Sequence, residues 1–433
     1  MKSAATALLI GALLVASALQ AQDDSYPTIT GYVTRAASST DFDVNGIRVV
    51  CEKNMQKKVL TAQGMVTLTS AGCPDGPFLG EPMNIYGSES DTEHTIFATK
   101  IELRPVHADK VAGVAVIDAP PVEVAKGKAT GVLRVSADGY CIQIESGTKI
   151  AFTIPLQKLS DLKAGDWIVY SGEPDATGMV VAKAVKFASG TVSPKEQELR
   201  NKENYDPGAV PESARQSFMS AALKGVDSKQ LPAYKDPAMQ ARVELIGNKL
   251  IPVYQRELPD SDATKIHFRF QVVDTTKFRA AMTMSNGIIL IPHQVVERMQ
   301  NDSQLAAILA DGIACALEAQ AYRDRPTLRS LETAVLASGV AEAFVPGLGV
   351  AALAGTERET SIQHREEAQR GRVSLMMLHD AGYDIVQAPV AWWLLAPRKP
   401  ESVSKIDMPE RAANLYQILG AEWHNPATAT DKP

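Results

Sequence analysis

Short stretches in which apolar and polar residues alternate fill the chain from Tyr26 to Phe187, as in TITGYVTR and IRVVCEK. Alternation with a period of two predicts β-strands that bury one face. Asn-Gly, Asp-Gly and Pro-containing turns separate these stretches at short intervals. Because such dipeptides favour tight hairpins, the pattern predicts antiparallel β-structure throughout this part of the chain.

An internal repeat divides this β-rich part into two halves. PFLGEPMNIYGSESDTEHTIFATKIEL is similar to DLKAGDWIVYSGEPDATGMVVAKAVKF, with a period of about 85 residues. The matched pairs are Gly80 with Gly165, Tyr86 with Tyr170, and Ala98 with Ala182. The repeat predicts two small antiparallel β-barrels, over residues 27–105 and 110–188.

The two halves resemble a small barrel domain of unknown function found in bacterial envelope proteins. That family carries G-x-V, F-x-V-N-G and L-x-x-G-D-x-V-x-V-x-G, and TGYV, FDVNG and LKAGDWIVYSG occupy the corresponding places here. The resemblance implies an envelope location and a barrel fold, and it leaves the function of the barrels open.

The pattern changes after the second half. Residues 189–212 are polar and contain proline, which predicts a linker with one exposed helical turn. Residues 213–424 then show apolar residues at helical spacing, beginning with Val243, Ile246, Leu250 and Val253. Strand-like runs, HFRFQVVD and AAMTMSNGIILIP, interrupt them, so this part is predicted to be a mainly helical α+β domain. Residues 425–433 are predicted to be a disordered tail.

The first residues have the layout of a secretory signal peptide, with Lys2, an apolar run and small residues up to Ala21. We therefore expect cleavage near Ala21 and a periplasmic or secreted protein; a membrane anchor is the alternative. The net charge of −6 gives no indication of a nucleic-acid partner. Cys51 and Cys73 are able to pair, whereas Cys141 and Cys315 are expected to remain buried thiols.

Three other features have competing interpretations. The apolar run at residues 333–355 contains Glu342 and a Pro-Gly pair, so two short packed helices are favoured over a hairpin that touches a membrane, and no stable span is expected in the mature chain. The pair Trp392-Trp393 is expected to belong to the core. The pair Glu366-Glu367 is expected on a solvated face, since adjacent helical residues diverge by about 100°.

The most informative helix is LAAILADGIACALEAQ, from Leu305 to Gln320. Asn301 and the two residues after it offer capping side chains. Apolar residues then recur at helical spacing and predict a buried stripe. Asp311 and Cys315 lie four residues apart, so they share one face beside that stripe. In zinc peptidases a His pair at this spacing holds the metal, and a Glu next to the first His activates water.

Residues 240–395 resemble the HtpX-type gluzincins, metallopeptidase family forty-eight. The family helix L-A-A-V-L-A-H-E-I-A-H matches LAAILADGIAC, and E-x-E-A-D-R and A-G-Y-D match REEAQR and AGYD. MTMSNGIILIPHQVVERM occupies the place of the family element that precedes the zinc helix. The resemblance implies a gluzincin fold for the helical domain.

This sequence departs from the family at each position of the zinc centre. The two His ligands fall on Asp311 and Cys315, the catalytic Glu on Gly312, and the third ligand on Arg365. The Asp that accompanies the third ligand falls on Gln369. Gly312 is unable to act as a base, and an Arg repels a divalent cation. We therefore expect no bound zinc, no catalytic residue and no other cofactor, with an ion pair between Asp311 and Arg365 in place of the metal.

The resulting hypothesis is a multidomain, exported bacterial pseudo-metallopeptidase that binds an extended polypeptide or envelope protein without cleaving it. In gluzincins the strand before the zinc helix pairs with the substrate backbone. The segment from Met282 to Pro292 is expected to be that strand. Its proposed binding positions are Met282, Met284, Asn286, Gly287 and Ile289. The alternatives are an active zinc endopeptidase with unrecognised ligands, and a structural envelope protein that binds through its barrels.

Overall fold

The structure is a computed structural model of the chain. It describes residues 27–38, 41–61, 64–68, 77, 79–90, 92–103, 111–126, 129–174, 179–202, 205–206, 231–276, 279–319, 357–396 and 410–423. For residues 52–61, 64–68, 111–112, 124–126, 129–131, 174, 202, 357–366 and 421–422 it describes the backbone alone. The predicted signal peptide, the apolar run at 333–355 and the predicted tail lie outside the described residues.

The first β unit, residues 27–103, contains a closed barrel. Its strands are β1 (Ile29–Ala36), β2 (Phe42–Val44), β3 (Ile47–Thr61), β4 (Gly64–Leu68), β5 (Pro82–Ser90) and β6 (Thr95–Leu103). The order β2-β1-β5-β6-β3 is closed by pairing of β2 with β3, while β4 extends β3 outside the ring. The pair β3–β6 is parallel and the other pairs in the ring are antiparallel. Closure leaves no free edge on these five strands.

Alternation explains the interior of this barrel. Val33, Val44, Met83, Ile96 and Ile101 are fully buried and point inward. Between β2 and β3 the chain turns on Asn45 and Gly46, which have φ values of 52° and 78°. Two consecutive positive φ values belong to the type I′ hairpin turn, for which Asn-Gly is the preferred sequence.

The second β unit, residues 111–188, repeats this strand order. Its strands are β7 (Val111–Val116), β8 (Val122–Lys126), β9 (Ala129–Ala137), β10 (Tyr140–Ile144), β11 (Lys149–Phe152), β12 (Trp167–Pro174) and β13 (Val180–Ala188), with a 3-10 turn at Leu159–Asp161. The path β7-β12-β13-β10-β9 corresponds to β1-β5-β6-β3-β2, and a single bridge joins Ile117 to Ala137. The hairpin turn is Asp138-Gly139, with φ values of 50° and 75°.

The repeat seen in the sequence is a structural one, with one correction. Gly80 and Gly165 both have positive φ, and each donates its N–H to an equivalent strand, at Val33 and Ile117. The pairing of Ala98 with Ala182 is confirmed, because each lies opposite the glycine of a β-bulge.

The proposed match of Tyr86 with Tyr170 is wrong by one residue. The bulges fall at Gly87 and Gly172, so Tyr86 corresponds to Ser171. A shift of one residue reverses the face of a strand. Accordingly Tyr86 is half-buried and bonds Glu102, whereas Tyr170 is buried in the core.

The helical unit follows. Its elements are α1 (Pro194–Lys202), α2 (Pro237–Leu250), α3 (Val253–Glu257), β14 (Arg269–Val273), β15 (Met282–Thr283), β16 (Ile288–Pro292), α4 (His293–Arg298), α5 (Asp302–Leu317), α6 (Glu357–Asp380), α7 (Gln387–Leu395) and α8 (Glu410–Glu422). The sheet has the order β14-β16-β15, with β14 parallel and β15 antiparallel to β16. No helix among the described residues is long and apolar enough to cross a membrane.

The predicted boundaries of this unit need correction. The linker segment contains the two-and-a-half-turn helix α1 in place of one turn, and Leu199 on it is buried. Tyr205 is fully buried and packs with Leu231 and Val273 behind the sheet, so the core of the helical unit begins before residue 213. Val253, predicted to continue a buried stripe, is 56% exposed because α2 ends at Leu250 and the chain restarts as α3.

The cysteines fall into two classes. Cys51 is disulfide-bonded, and Cys73 lies outside the described residues. Cys141 and Cys315 carry thiols, and both are half-buried, not fully buried as expected.

Candidate functional site on the central helix

The central helix α5 positions three of the five residues that the resemblance singled out. Asn301 caps it, because its side-chain oxygen accepts the N–H of Gln304 at 2.9 Å. The helix is buried on nearly all sides, against α2, α6, α7 and the sheet. A helix surrounded in this way holds Asp311, Gly312 and Cys315 at fixed places.

Asp311 lies in a network of opposite charges. Its Oδ2 accepts a hydrogen bond from Arg411 Nη1 at 2.9 Å, and its Oδ1 lies 3.5 Å from Arg370 Nε. Arg411 Nε also lies 3.0 Å from Glu367 Oε1, and its guanidinium stands 4.5 Å from the ring centre of Trp392. Two carboxylates and two guanidinium groups balance each other, and together they connect α5, α6, α7 and α8.

Burial changes the pKa of one acid in this network. The side chains of Asp311, Glu367, Arg370 and Arg411 are only 11–15% exposed. Burial raises the pKa of the Glu367 carboxyl above its usual value, and Arg411 and Arg370 oppose that rise. The expectation that Glu367 lies on a solvated face is therefore wrong; the side chain of Glu366 lies outside the described residues.

A small cavity adjoins the network. Its walls include Asp311, Glu367, Asn414 and Trp392. Its volume is about 10 Å³, which is room for about one water molecule between the paired charges.

Gly312 lies directly beneath the sheet. A Cβ at this position would lie 2.9 Å from Thr283 Oγ1 and 3.2 Å from two methyl groups of Ile289. The Thr283 hydroxyl also donates to the carbonyl of Gly312 at 3.2 Å. The place where a catalytic Glu side chain would begin is thus filled by the strand β15 and its neighbour β16.

Gln369 makes contacts outside the helical unit. It is 5% exposed, and its amide Nε2 donates to Glu318 Oε2 and to Asp138 Oδ2. Asp138 belongs to the hairpin turn of the second β unit. The position that corresponds to a carboxylate in the family therefore joins two structural units here.

The remaining positions complete the comparison with the expected zinc centre. Arg365 lies on α6, but its side chain is outside the described residues, so its pairing with Asp311 stays a prediction. Among the described residues, no group of three or more His, Cys, Asp or Glu side chains is arranged to hold a metal ion. Asp311, Gly312 and Gln369 each contact a different set of partners.

The proposed polypeptide-binding segment is a hairpin and not the single strand that was expected. Met282 and Thr283 form β15, the chain turns through Asn286 and Gly287, and β16 begins at Ile288. Gly287 has a φ of 88°, a backbone conformation that glycine adopts without steric strain. Because β15 is the end strand of the three-stranded order, its backbone is the part of the segment placed at a sheet edge.

Sequence reasoning missed several residues of the site. Arg411 contacts Asp311 across 100 residues of chain, and Asp138 contacts Gln369 across 231. No local pattern marks contacts of such separation. The REEAQR match did lead to α6, where Glu367 and Arg370 lie, but it gave no indication of their partners.

No family model matches the chain, and no curated protein matches it in sequence. Any functional assignment therefore depends on the residues and their geometry.

Proposed function

We propose that this protein is a non-catalytic relative of the gluzincin metallopeptidases that acts in the bacterial envelope by binding extended polypeptide. The observation that carries the proposal is what surrounds Asp311 and Gly312 on α5, the positions of the first zinc ligand and of the catalytic Glu in the resembled family. Asp311 is neutralised by Arg370 and Arg411, and Gly312 is covered by Thr283 and Ile289. A hydrolytic site needs a ligand lone pair at the first position and a base at the second.

The arrangement of elements supports a gluzincin-like fold for the helical unit. A hairpin precedes the central helix, and the longer helix that carries REEAQR packs along it. We also propose that both β units are barrels of one kind. Their common strand order, the bridge between Ile117 and Ala137, and the matching bulges at Gly87 and Gly172 support this.

The first test measures metal and proteolysis. Purified mature protein, dialysed and analysed for metals, is expected to contain well under one zinc per chain and to leave casein intact. The reason is that an Arg pair already satisfies the Asp311 carboxylate. One tightly bound zinc per chain, or cleavage that a chelator abolishes, would refute the proposal.

The second test addresses binding. An end strand presents backbone N–H and C=O groups to which an extended peptide can add as a further strand. Fluorescently labelled, reduced and carboxymethylated lactalbumin provides an unfolded probe. We expect it to bind the wild-type protein and to bind Thr283→Pro at least about tenfold more weakly, since proline removes one backbone donor.

Thr283→Val is the matched control, because it loses the bond to the Gly312 carbonyl but keeps the backbone N–H. It is expected to bind the probe like the wild type. No binding by the wild-type protein would contradict the proposed function. Equal binding by the proline variant would contradict the assignment to β15.

A further inference from the structure

A buried carboxyl group joins the second β unit to the helical unit. Asp138, in the hairpin turn, is 2% exposed, and Glu318, at the end of α5, is 0% exposed. Gln369 Nε2 donates to Asp138 Oδ2 and to Glu318 Oε2, so the two buried carboxyl groups meet at one nitrogen. Two ionised carboxylates repel each other in such a site, whereas a carboxyl group that carries a proton can donate it to the other.

The backbone fixes Asp138 in this position. Its φ of 50° lies in the left-handed region, which Asp and Asn tolerate in a type I′ turn. The N–H of Val116, on the neighbouring strand, donates to the Asp138 carboxyl group. The next residue, Gly139, lies against the backbone of Arg372 on α6, where an added Cβ would approach the Arg372 carbonyl to 3.0 Å. The turn is therefore anchored on both sides.

The surroundings favour the protonated form. Burial raises the pKa of Asp138 well above its ordinary value, and the Glu318 carboxyl raises it further, while the hydrogen bonds from Val116 and Gln369 oppose the rise. The titratable and charged groups around Asp138 and its neighbour Asp118 come from both sides of the contact. They are Asp118 of the second β unit, Tyr254 of α3, Glu318 at the end of α5, and Arg372 and Asp380 of α6.

Three of these neighbours, Asp118, Glu318 and Asp380, are carboxylic acids, whose negative charges disfavour an ionised Asp138. Burial and the Asp138 charge raise the pKa of Asp118 to about 8, although the Ser136 hydroxyl donates to it. Burial and the nearby acids also raise the pKa of Tyr254, which keeps its phenol neutral. The Arg372 guanidinium stands 4.3 Å from the ring centre of Tyr140, the residue that follows the turn.

We propose that a proton shared by Asp138 and Glu318 holds the second β unit on the helical unit, so that this contact loosens as the pH rises. The inference does not depend on the proposed function. It assigns the protein a response to the acidity of its compartment, with the second β unit as the moving part and the first β unit as the fixed one.

The direction follows from proton linkage. An undocked Asp138 regains its ordinary pKa near 4, whereas the docked carboxyl keeps its proton to much higher pH. Docking is complete below the ordinary pKa of Asp138. It is lost as the pH rises toward the raised pKa of the docked carboxyl group. Between the two, the docking equilibrium constant falls roughly tenfold per pH unit for each proton released.

Hydrogen exchange of the full chain tests this at pH 5.5 and pH 8.0, with rates corrected for the intrinsic effect of pH. Amides of residues 138–142 are expected to lose at least about tenfold of their protection at the higher pH. Asp138→Asn should abolish most of this difference, because an amide does not ionise. The equivalent turn of the first β unit, residues 45–49, serves as the internal control and should not change.

Equal corrected exchange of the wild-type turn at both pH values would overturn the proposal. So would a full pH response in Asp138→Asn or, if that variant fails to fold, in Glu318→Gln.

Discussion

The two β units share one strand order but contact the helical unit through different chemistry. In the first unit, Asn45 directs its side chain back into its own unit, where it accepts the N–H of Tyr32 and donates to the carbonyl of Thr30. In the second unit, Asp138 accepts the equivalent N–H of Val116, and its Oδ2 also accepts a hydrogen bond from Gln369 of the helical unit. The same place in the turn therefore holds an amide in the first unit and a carboxyl group in the second.

A second difference between the units lies in the loop that precedes β5 in the first unit and β12 in the second. Gly80 presses on the backbone of α8, so that an added Cβ would lie 1.9 Å from the Tyr416 carbonyl oxygen, whereas a Cβ on Gly165 would meet nothing within 4 Å. Leu79 also enters the core of the helical unit. The first unit is therefore attached by close apolar and backbone packing, and the second by buried acids. Packing of the first kind does not depend on pH, whereas the second kind does.

The largest effect is expected from Gly80→Ala. Both Gly80 and Gly165 have φ values above 80°, so alanine costs about 1–2 kcal/mol at either position. At Gly80 the overlap with α8 adds at least about 1–3 kcal/mol. Urea unfolding should show a loss of about 3 kcal/mol or more for Gly80→Ala and clearly less for Gly165→Ala. Equal losses would mean that α8 does not restrain the first unit.

An intermediate effect on stability is expected from Asn45→Asp, which places a carboxyl group in the hairpin turn of the first unit, where the second unit has Asp138. The new carboxylate would face the Thr30 carbonyl and lose a donor, at a cost on the order of 1–3 kcal/mol. The pKa of the introduced Asp would be raised in the folded state, so the stability loss should grow as the pH rises above about 4. Urea midpoints at pH 4.5 and pH 7.5 measure it; a loss independent of pH would contradict this account.

The β units show how far local patterns lead. The alternation, the Asn-Gly and Asp-Gly turns and the repeat predicted strands and hairpins, since these depend on neighbouring residues. The error at Tyr86 and Tyr170 arose because the hairpin from Gly87 to Ala98 is one residue longer than the hairpin from Gly172 to Ala182. Matching the two tyrosines placed this difference before the hairpin instead of within it. The turn at Asn286 and Gly287 was present in the sequence, but the apolar run around it suggested one strand.

The candidate site was less predictable. The cap at Asn301 and the buried stripe of α5 follow from spacing, and the structure confirms both. The pairing of Asp311 with Arg411 depends on how α8 returns to α5 after 100 residues. The meeting of Asp138 with Glu318 depends on docking between units, for which no periodicity exists. Only tertiary packing converts these isolated charges into networks.

The smallest effect on stability is expected from Asp118→Thr, which gives the second unit the residue found at the equivalent position of the first. Val33 and Ile117 are equivalent through their bonds with Gly80 and Gly165, so Asp118 takes the place of Thr34. The Thr34 hydroxyl accepts the N–H of Gly46 and does not ionise, whereas the pKa of Asp118 is raised to about 8. A carboxyl with a raised folded pKa stabilises below its ordinary value near 4 and loses that contribution as the pH rises to about 8.

Replacing Asp118 with Thr should therefore leave stability almost unchanged at pH 4.5 and raise it by about 1 kcal/mol at pH 8, because the carboxyl is only partly buried. Thermal unfolding across pH 4.5–8 measures the slope for the wild type, Asp118→Thr and the isosteric control Asp118→Asn. Both variants should show a shallower decline than the wild type, and the decline that persists belongs to Asp138 and Glu318. A wild-type slope retained in both variants would mean that Asp118 titrates like an exposed acid, and the acidic contact would then consist of the Asp138–Glu318 pair alone.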